Sequence, residues 1–281
     1  MAREAEPFLA AAVQMRSGVE RRRNLEDALA LIDEAAAKGA KFILTPEMTN
    51  ILDRDAKRLF SHLPEEEGLE EIGAFAAAAR AHGVHLLIGS MAVKIGDRRA
   101  ANRAFLFSPD GEIAARYDKI HMFDVDLPNG ESWKESNVYQ PGESAVLADT
   151  PLARIGLTIC YDVRFPHLYR ALAQAGAEVI CVPAAFTKQT GEAHWKTLLR
   201  ARAIENGAFI IAAAQGGRHE DGRDTYGHSM IVGPWGDILG EADGAEPGVV
   251  IAEIDPRKAH EARMRIPNLA LDRLVPVKPS V

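Results

Sequence analysis

Short apolar runs alternate with amphipathic stretches along most of this chain, and that rhythm restricts the fold more than any other feature. Residues 8–13 read as a strand. Residues 24–38 read as a helix, with Leu25, Ala28, Leu29, Ile32, Ala35 and Ala36 on one face and Gly39 as its stop. A strand at 41–44 runs into Thr45-Pro46-Glu47. A helix at 69–81 stops at Gly83, and a strand follows at 84–93. Further on, strand 153–159 ends at Cys160, helix 166–175 leads to strand 178–182, and helix 193–205 leads to strand 208–214. Repeated strand–helix–strand order predicts an α/β layered fold. Two hairpins are expected, around Pro109-Asp110-Gly111 and around Gly233-Pro234-Trp235-Gly236. Their similarity hints at two related halves, each a sheet with helices on one face. A Pro/Gly-containing stretch at 124–143 is long for a structureless loop, and loops of that length are usually functional or disordered. No linker divides the chain. The expectation is a single domain over 1–281, with 256–281 a charged tail in which Pro267 and Pro276 limit helix formation.

Composition removes several classes of function. With 47% apolar and 26% charged residues, the 281-residue chain has the balance of a soluble protein with a sizeable core. The net charge is −7 and no basic patch with interleaved aromatics occurs, so no nucleic-acid partner is expected. The densest basic run, residues 16–23, is broken by Glu20 and reads as a solvated helix start. Residues 1–7 lack the apolar core of a signal peptide and no apolar run is long enough to span a membrane; a cytoplasmic protein is expected. The two cysteines, Cys160 and Cys181, are too few for a disulfide framework or a cysteine metal cluster. Each is left with burial or nucleophilic chemistry.

Three polar residues stand where apolar strands end: Glu47, Lys119 and Cys160. Ligand sites of open α/β sheets lie outside the carboxyl ends of strands, so the three could meet in one pocket. A cysteine needs a base to become a nucleophile, a carboxylate can take that proton and return it to a leaving amine, and an ammonium can hold an oxyanion. Taken singly, each residue has a plainer reading: a buried small hydrophobe, a helix cap, a surface lysine.

The surrounding residues decide. Thr45-Pro46-Glu47, then Tyr117-Asp118-Lys119-Ile120-His121, then Ile159-Cys160-Tyr161-Asp162-Val163-Arg164-Phe165-Pro166 resemble, in order and spacing, the three catalytic motifs of the nitrilase, or carbon–nitrogen hydrolase, superfamily. The resemblance extends from about 8 to about 267. It implies a four-layer α-β-β-α sandwich, no metal and no cofactor. It also implies a triad in which Glu47 is general base and acid, Lys119 the oxyanion-stabilising cation and Cys160 the nucleophile. The backbone N–H of Tyr161 would be a second oxyanion donor, and Glu135 a supporting carboxylate beside the lysine. The runs at 119–126, 135–136, 141–142 and 190–195 look like the branch that contains ω-amidase and deaminated glutathione amidase. Those at 212–219 and 226–230 lean to the latter. The implied reaction is hydrolysis of a small linear amide on a carboxylate-bearing substrate, through a cysteine thioester, to a carboxylate and ammonia. Relatives of this kind pack C-terminal segments across a subunit interface, so a homodimer or higher homo-oligomer is expected, with the tail at that interface.

Other features keep ordinary readings. Cys181 lies within an apolar strand and reads as core. Gly227-His228-Ser229 lacks the glycine and the helix of a serine nucleophile elbow. His82 and His85 lack helical metal spacing. Arg164 suits either an ion pair or a substrate carboxylate. His194 and Trp195, at the expected start of a helix, suit either the pocket or packing. Nitrile or N-carbamoyl amino-acid hydrolysis on the same triad, and a non-enzymatic scaffold, are the competing functions.

Overall fold

The computed structural model describes residues 6–128, 130 and 132–278. Along the chain run β1 (Phe8–Gln14), α1 (Arg21–Ala37), β2 (Phe42–Leu44), α2 (Ala56–His62), α3 (Glu70–His82), β3 (His85–Gly96), β4 (Arg99–Phe107), β5 (Ile113–Asp118), β6 (Asp124–Asp126) and β7 (Ser132–Lys134). Then come β8 (Val146–Asp149), β9 (Arg154–Leu157), α4 (Pro166–Gln174), β10 (Val179–Cys181), α5 (Lys188–Asn206), β11 (Phe209–Ala212), β12 (Gly216–Arg218), β13 (Asp224–Tyr226), β14 (Met230–Val232), β15 (Ile238–Glu241), β16 (Gly248–Ile254) and α6 (Pro256–Arg265).

Two six-stranded sheets form the centre, in the orders β16-β1-β2-β3-β4-β5 and β15-β14-β11-β10-β9-β8. Strand alternation shows how they stack. In β1, Ala10 and Ala12 belong to one core and Ala11 and Val13 to another; Phe42 and Leu44 of β2 divide from Ile43 in the same way. The first core joins the facing sides of both sheets and continues to Leu168 and Leu172 of α4 and Trp195 and Leu199 of α5. The second joins the outer side of the first sheet to Ala28 and Ile32 of α1 and Phe75 of α3. The order of layers is therefore helix, sheet, sheet, helix, as the sequence implied. A strand whose side chains alternate between two cores must be apolar on both faces, which is why these runs read as continuous.

Three expectations need correction. The 124–143 stretch is not structureless: β6 and β7 pair as a small hairpin, followed by a short 3-10 turn at Glu135–Asn137. Its strands are three residues long and polar, so they carry no apolar period to read. Helix α5 begins at Lys188, ahead of the expected 193, so His194 and Trp195 lie in its second turn. Gly191 disguises that start. It is an interior helical glycine because Tyr226 packs on it, and a Cβ there would sit 2.3 Å from the Tyr226 ring. Finally, the tail has a core contact of its own. Pro256 occupies the first turn of α6, where proline suits a helix, and Asp255 caps it through Arg257 N–H. Ala259 and Ala262 are buried, and Arg263 donates to the carbonyls of Asn206 and Ala177. Exposed apolar residues accumulate at the end of α6 and beyond it: Met264, Ile266, Leu271, Leu274, Val275 and Val277.

Candidate active site

Each sheet ends its parallel strands at the same place. After β2 the chain passes through Thr45 and Pro46 to Glu47; after β10 it passes through Val182 and Pro183. The two proline segments meet over Gly89, where a Cβ would lie 2.0 Å from the Thr45 carbonyl and 2.3 Å from Pro183. A residue without a side chain is required for that approach.

Glu47 is buried between the two sheets. Its Oε1 accepts from Lys119 Nζ at 2.8 Å and Asn102 Nδ2 at 2.9 Å, and its Oε2 accepts from the backbone N–H of Ala185 at 2.9 Å. Lys119 is 2% exposed, and its ammonium also donates to both oxygens of Glu135 at 2.9 Å. Glu135 is held by Phe123 N–H at 2.6 Å. Asn102 donates to both carboxylates, at 2.9 Å to Glu47 and 3.2 Å to Glu135. Electrostatics fixes that orientation, because the reversed amide would aim its oxygen at two negative groups.

Cys160 opens a short 3-10 turn at Cys160–Arg164, with φ of 49°. A non-glycine residue there stores strain of about 1–3 kcal/mol, so the surroundings must hold it. Cys160 N–H donates to Pro183 O at 2.8 Å. Asp162, fully buried, accepts from Ile159 N–H at 2.8 Å, the Tyr117 hydroxyl at 2.7 Å and the His121 backbone N–H at 3.1 Å, and contacts His121 Nδ1 at 2.7 Å. His121 in turn stacks on Phe165. Asp162 thus ties the turn carrying the nucleophile to the strand end carrying Lys119. At the first residues of such a turn the N–H groups have no partner within it, which leaves Tyr161 N–H available.

Burial alone would raise the Glu47 pKa, but the Lys119 ammonium and hydrogen bonds from Lys119, Cys160 and Asn102 outweigh it and hold the carboxyl below its ordinary 4.5. Burial would strip the proton from Lys119, yet Glu135 and Glu47 hold it far above its ordinary 10.5. Burial and the charge of Glu47 push the Cys160 thiol well above 9.0. At neutral pH the resting site therefore holds a carboxylate, an ammonium and a neutral thiol.

Glu47, Lys119, Glu135, Cys160 and Tyr161 line one cavity of about 610 Å³, with Met48, Phe123, Trp133, Phe186, Thr187 and Thr190 among its walls. Arg164, His194 and Trp195 are not on that lining. Trp195 is fully buried, donates to His228 O at 2.9 Å and packs on Phe186, so it supports the wall from behind. His194 is exposed and meets Arg164 Nη1 at 3.3 Å; Arg164 lies over the rings of Phe186 and Tyr161. The structure thus places these three beside or behind the cavity wall, and not on its lining. Missed altogether were Asn102 and Asp162. A lone amide inside the apolar run of β4 was the available signal for the first. The other distractors fall as expected: Cys181 is core, and Ser229 Oγ accepts from Ala214 N–H at 2.9 Å.

A buried cysteine, glutamate and lysine at the joined strand ends of an α-β-β-α stack define a class, the cysteine-dependent hydrolases of carbon–nitrogen bonds. The comparison with known families agrees. The model of the family described as carbon-nitrogen hydrolase matches residues 9–264, and the chain belongs to that family. Its members cleave carbon–nitrogen bonds other than peptide bonds, and so does the class of enzyme to which this chain belongs. Among its relatives, a deaminated glutathione amidase from Synechocystis sp. is 42% identical over 275 residues, covering 94% of this chain and 97% of that protein. The crystal structure of the C. elegans NitFhit protein superposes with a TM-score of 0.89 at 33% identity, over 97% of this chain and 66% of that longer one. An amidase variant from Nesterenkonia sp. AN1, carrying the acetamide moiety of fluoroacetamide on its active-site cysteine, gives a TM-score of 0.78 at 26% identity, over 93% of this chain and 95% of that one.

Proposed function

We propose that this chain hydrolyses a linear amide of a carboxylate-bearing substrate, of the deaminated glutathione kind, through a thioester on Cys160. The observation that carries the reading is Lys119, 2% exposed and bonded to both Glu47 and Glu135 beside the Cys160 thiol. As Sγ attacks the amide carbon, Glu47 takes the thiol proton. The oxyanion is received by the Lys119 ammonium and Tyr161 N–H. Glu47 returns the proton to the departing nitrogen, and the amine leaves the thioester behind. Water then attacks, Glu47 takes one of its protons, the carbon–sulfur bond breaks and the thiol is restored. A simple ω-amide releases ammonia. Deaminated glutathione, whose amide nitrogen belongs to a dipeptide, releases cysteinylglycine. The names of the relatives support the latter substrate, as does a cavity of 610 Å³, roomy for a short ω-amide alone.

Amine release from deaminated glutathione, α-ketoglutaramate and glutamine, beside matched nitrile and N-carbamoyl compounds, tests this. Amides should turn over fastest. Faster turnover of the nitrile or carbamoyl compound overturns the amidase assignment, and turnover of none leaves a scaffold.

The chain is proposed to act as one domain and as a homodimer in a reducing cytoplasm. Exposed Trp235, Leu239, Met264 and Ile266, with the apolar tail beyond α6, are the surface such a dimer would cover. The full chain should scatter light as a dimer and a chain ended at 265 should be weaker in association; equal association of both removes the tail from the interface.

A further inference from the structure

The cavity carries more positive charge than the triad uses. Lys119 is absorbed by Glu47 and Glu135. Asp53, also on the lining, is taken by a two-point bridge from Arg58 at 2.6 and 2.8 Å. Lys134, also on the lining, lies 3.9 Å from Asp126, and two guanidiniums remain. Arg54 makes no hydrogen bond or ion pair among the described residues; its one contact is the Trp133 ring, at 4.6 Å from the centroid. Arg223 lies 5.1 Å from the same centroid. Its Nε donates to Asp221 at 2.7 Å, which leaves its two terminal nitrogens without a partner among the described residues. Asp224 is the remaining carboxylate of that wall, and it is exposed.

One arginine on an indole is ordinary packing. Two on one indole, Arg54 exposed and Arg223 held by Asp221 only through Nε, leave all four terminal nitrogens without an acceptor among the described residues and free to receive an anion. We propose that Arg54 and Arg223, set around Trp133, form a carboxylate-binding subsite that selects substrates with a second charge away from the scissile amide. Guanidinium geometry matches a carboxylate through two parallel N–H donors, and both guanidiniums lie within cation–π reach of the one indole. The proposal rests on the amide-hydrolase reading and adds where the substrate's carboxylate is held. That carboxylate could belong to the acyl chain or to the leaving amine, and the two are separable.

Glutaramate against pentanamide tests the acyl side; N-pentanoylglycine against its methyl ester tests the amine side. For whichever pair the subsite serves, Arg54→Met and Arg223→Met should cut kcat/KM for the charged member roughly 10- to 100-fold more than for the neutral one, chiefly through KM, as expected for loss of a hydrogen bond to a charged group. Arg54→Lys should retain part of the preference. The same compounds titrated calorimetrically into Cys160→Ala read binding without turnover. A preference for the charged member that survives both methionine variants overturns the subsite, and so does an equal loss for charged and neutral members. Binding preference that depends on Arg54, in a protein that hydrolyses none of the four compounds, keeps the subsite and sinks the amidase reading.

Discussion

The two sheets share one plan and differ in chemistry. In the first, β16 pairs antiparallel with β1, β1-β2-β3 run parallel, and β4 and β5 return antiparallel. In the second, β8, β9-β10-β11, β14 and β15 repeat that pattern strand for strand. Even the exits match, with Pro46 and Pro183 each two residues past the middle parallel strand. One residue later the match ends: the first half has Glu47 and the second has Ala184. The first half also supplies Lys119, and the second supplies Cys160 from the end of β9. A duplicated frame thus brings strand ends together, while its side chains make the site one-sided. A second acid in place of Ala184 would set like charges close together in a buried space, where each disfavours the other's ionisation. The halves also hold each other's groups. Ala185 N–H binds Glu47, and Gln215 Nε2 donates to Glu47 O at 3.0 Å.

The sharpest break of the comparison lies within the second half, between its two cysteines. Cys160 sits at a strand end against Glu47 and Lys119; Cys181 sits inside β10, and burial is the only influence on its thiol. Cys160→Ala should abolish turnover with the melting curve little changed, while Cys181→Ala should keep most of the activity and lose some stability from a small core void. Equal loss of activity in the two variants, measured by amine release, would remove the nucleophile assignment.

What could be read from the sequence follows the reach of local signals. Glu47, Lys119 and Cys160 were legible because each lies in a short run whose order along the chain is itself informative. The layered fold was legible because both sheets bury two faces. Asn102 and Asp162 were not, because the contacts by which they tie the site together cross long separations: Asn102 meets a residue 55 positions away and Asp162 one 45 away. Strand β16 had no place in the expected order, although alternating Val250, Ala252 and Ile254 mark it. It closes the first sheet from the far end of the chain, where β8 closes the second from next door. Arg54 and Arg223 gave no signal, since an arginine in a polar loop reads as solvated until the fold sets both against one tryptophan.

Lys119→Met probes the side of the frame that has no counterpart in the other half, with an effect smaller than loss of the nucleophile. Methionine keeps most of the volume and removes the charge. Loss of one preorganised oxyanion donor costs about 10²- to 10³-fold in rate, and a full ammonium is the stronger donor here. Alkylation of Cys160 builds no oxyanion, so it should fall much less than amide hydrolysis; a parallel fall would make Lys119 an activator of the thiol. The smallest effect is on pH. In the native protein the Glu47 carboxyl is held below its ordinary 4.5, because the Lys119 charge and the hydrogen bonds Glu47 receives together outweigh the push of burial. The base is therefore protonated only as pH falls below the ordinary carboxylate range, and kcat/KM should stay level from there through neutrality. With the thiol held well above 9.0, no basic limb should appear before that point. In Lys119→Met the burial remains and the largest downward influence is gone, so the carboxyl titrates at higher pH and the acid limb moves up with it. A profile of kcat/KM against pH that drops in height with its acid limb in the same place would show that Glu47 is not the group being titrated.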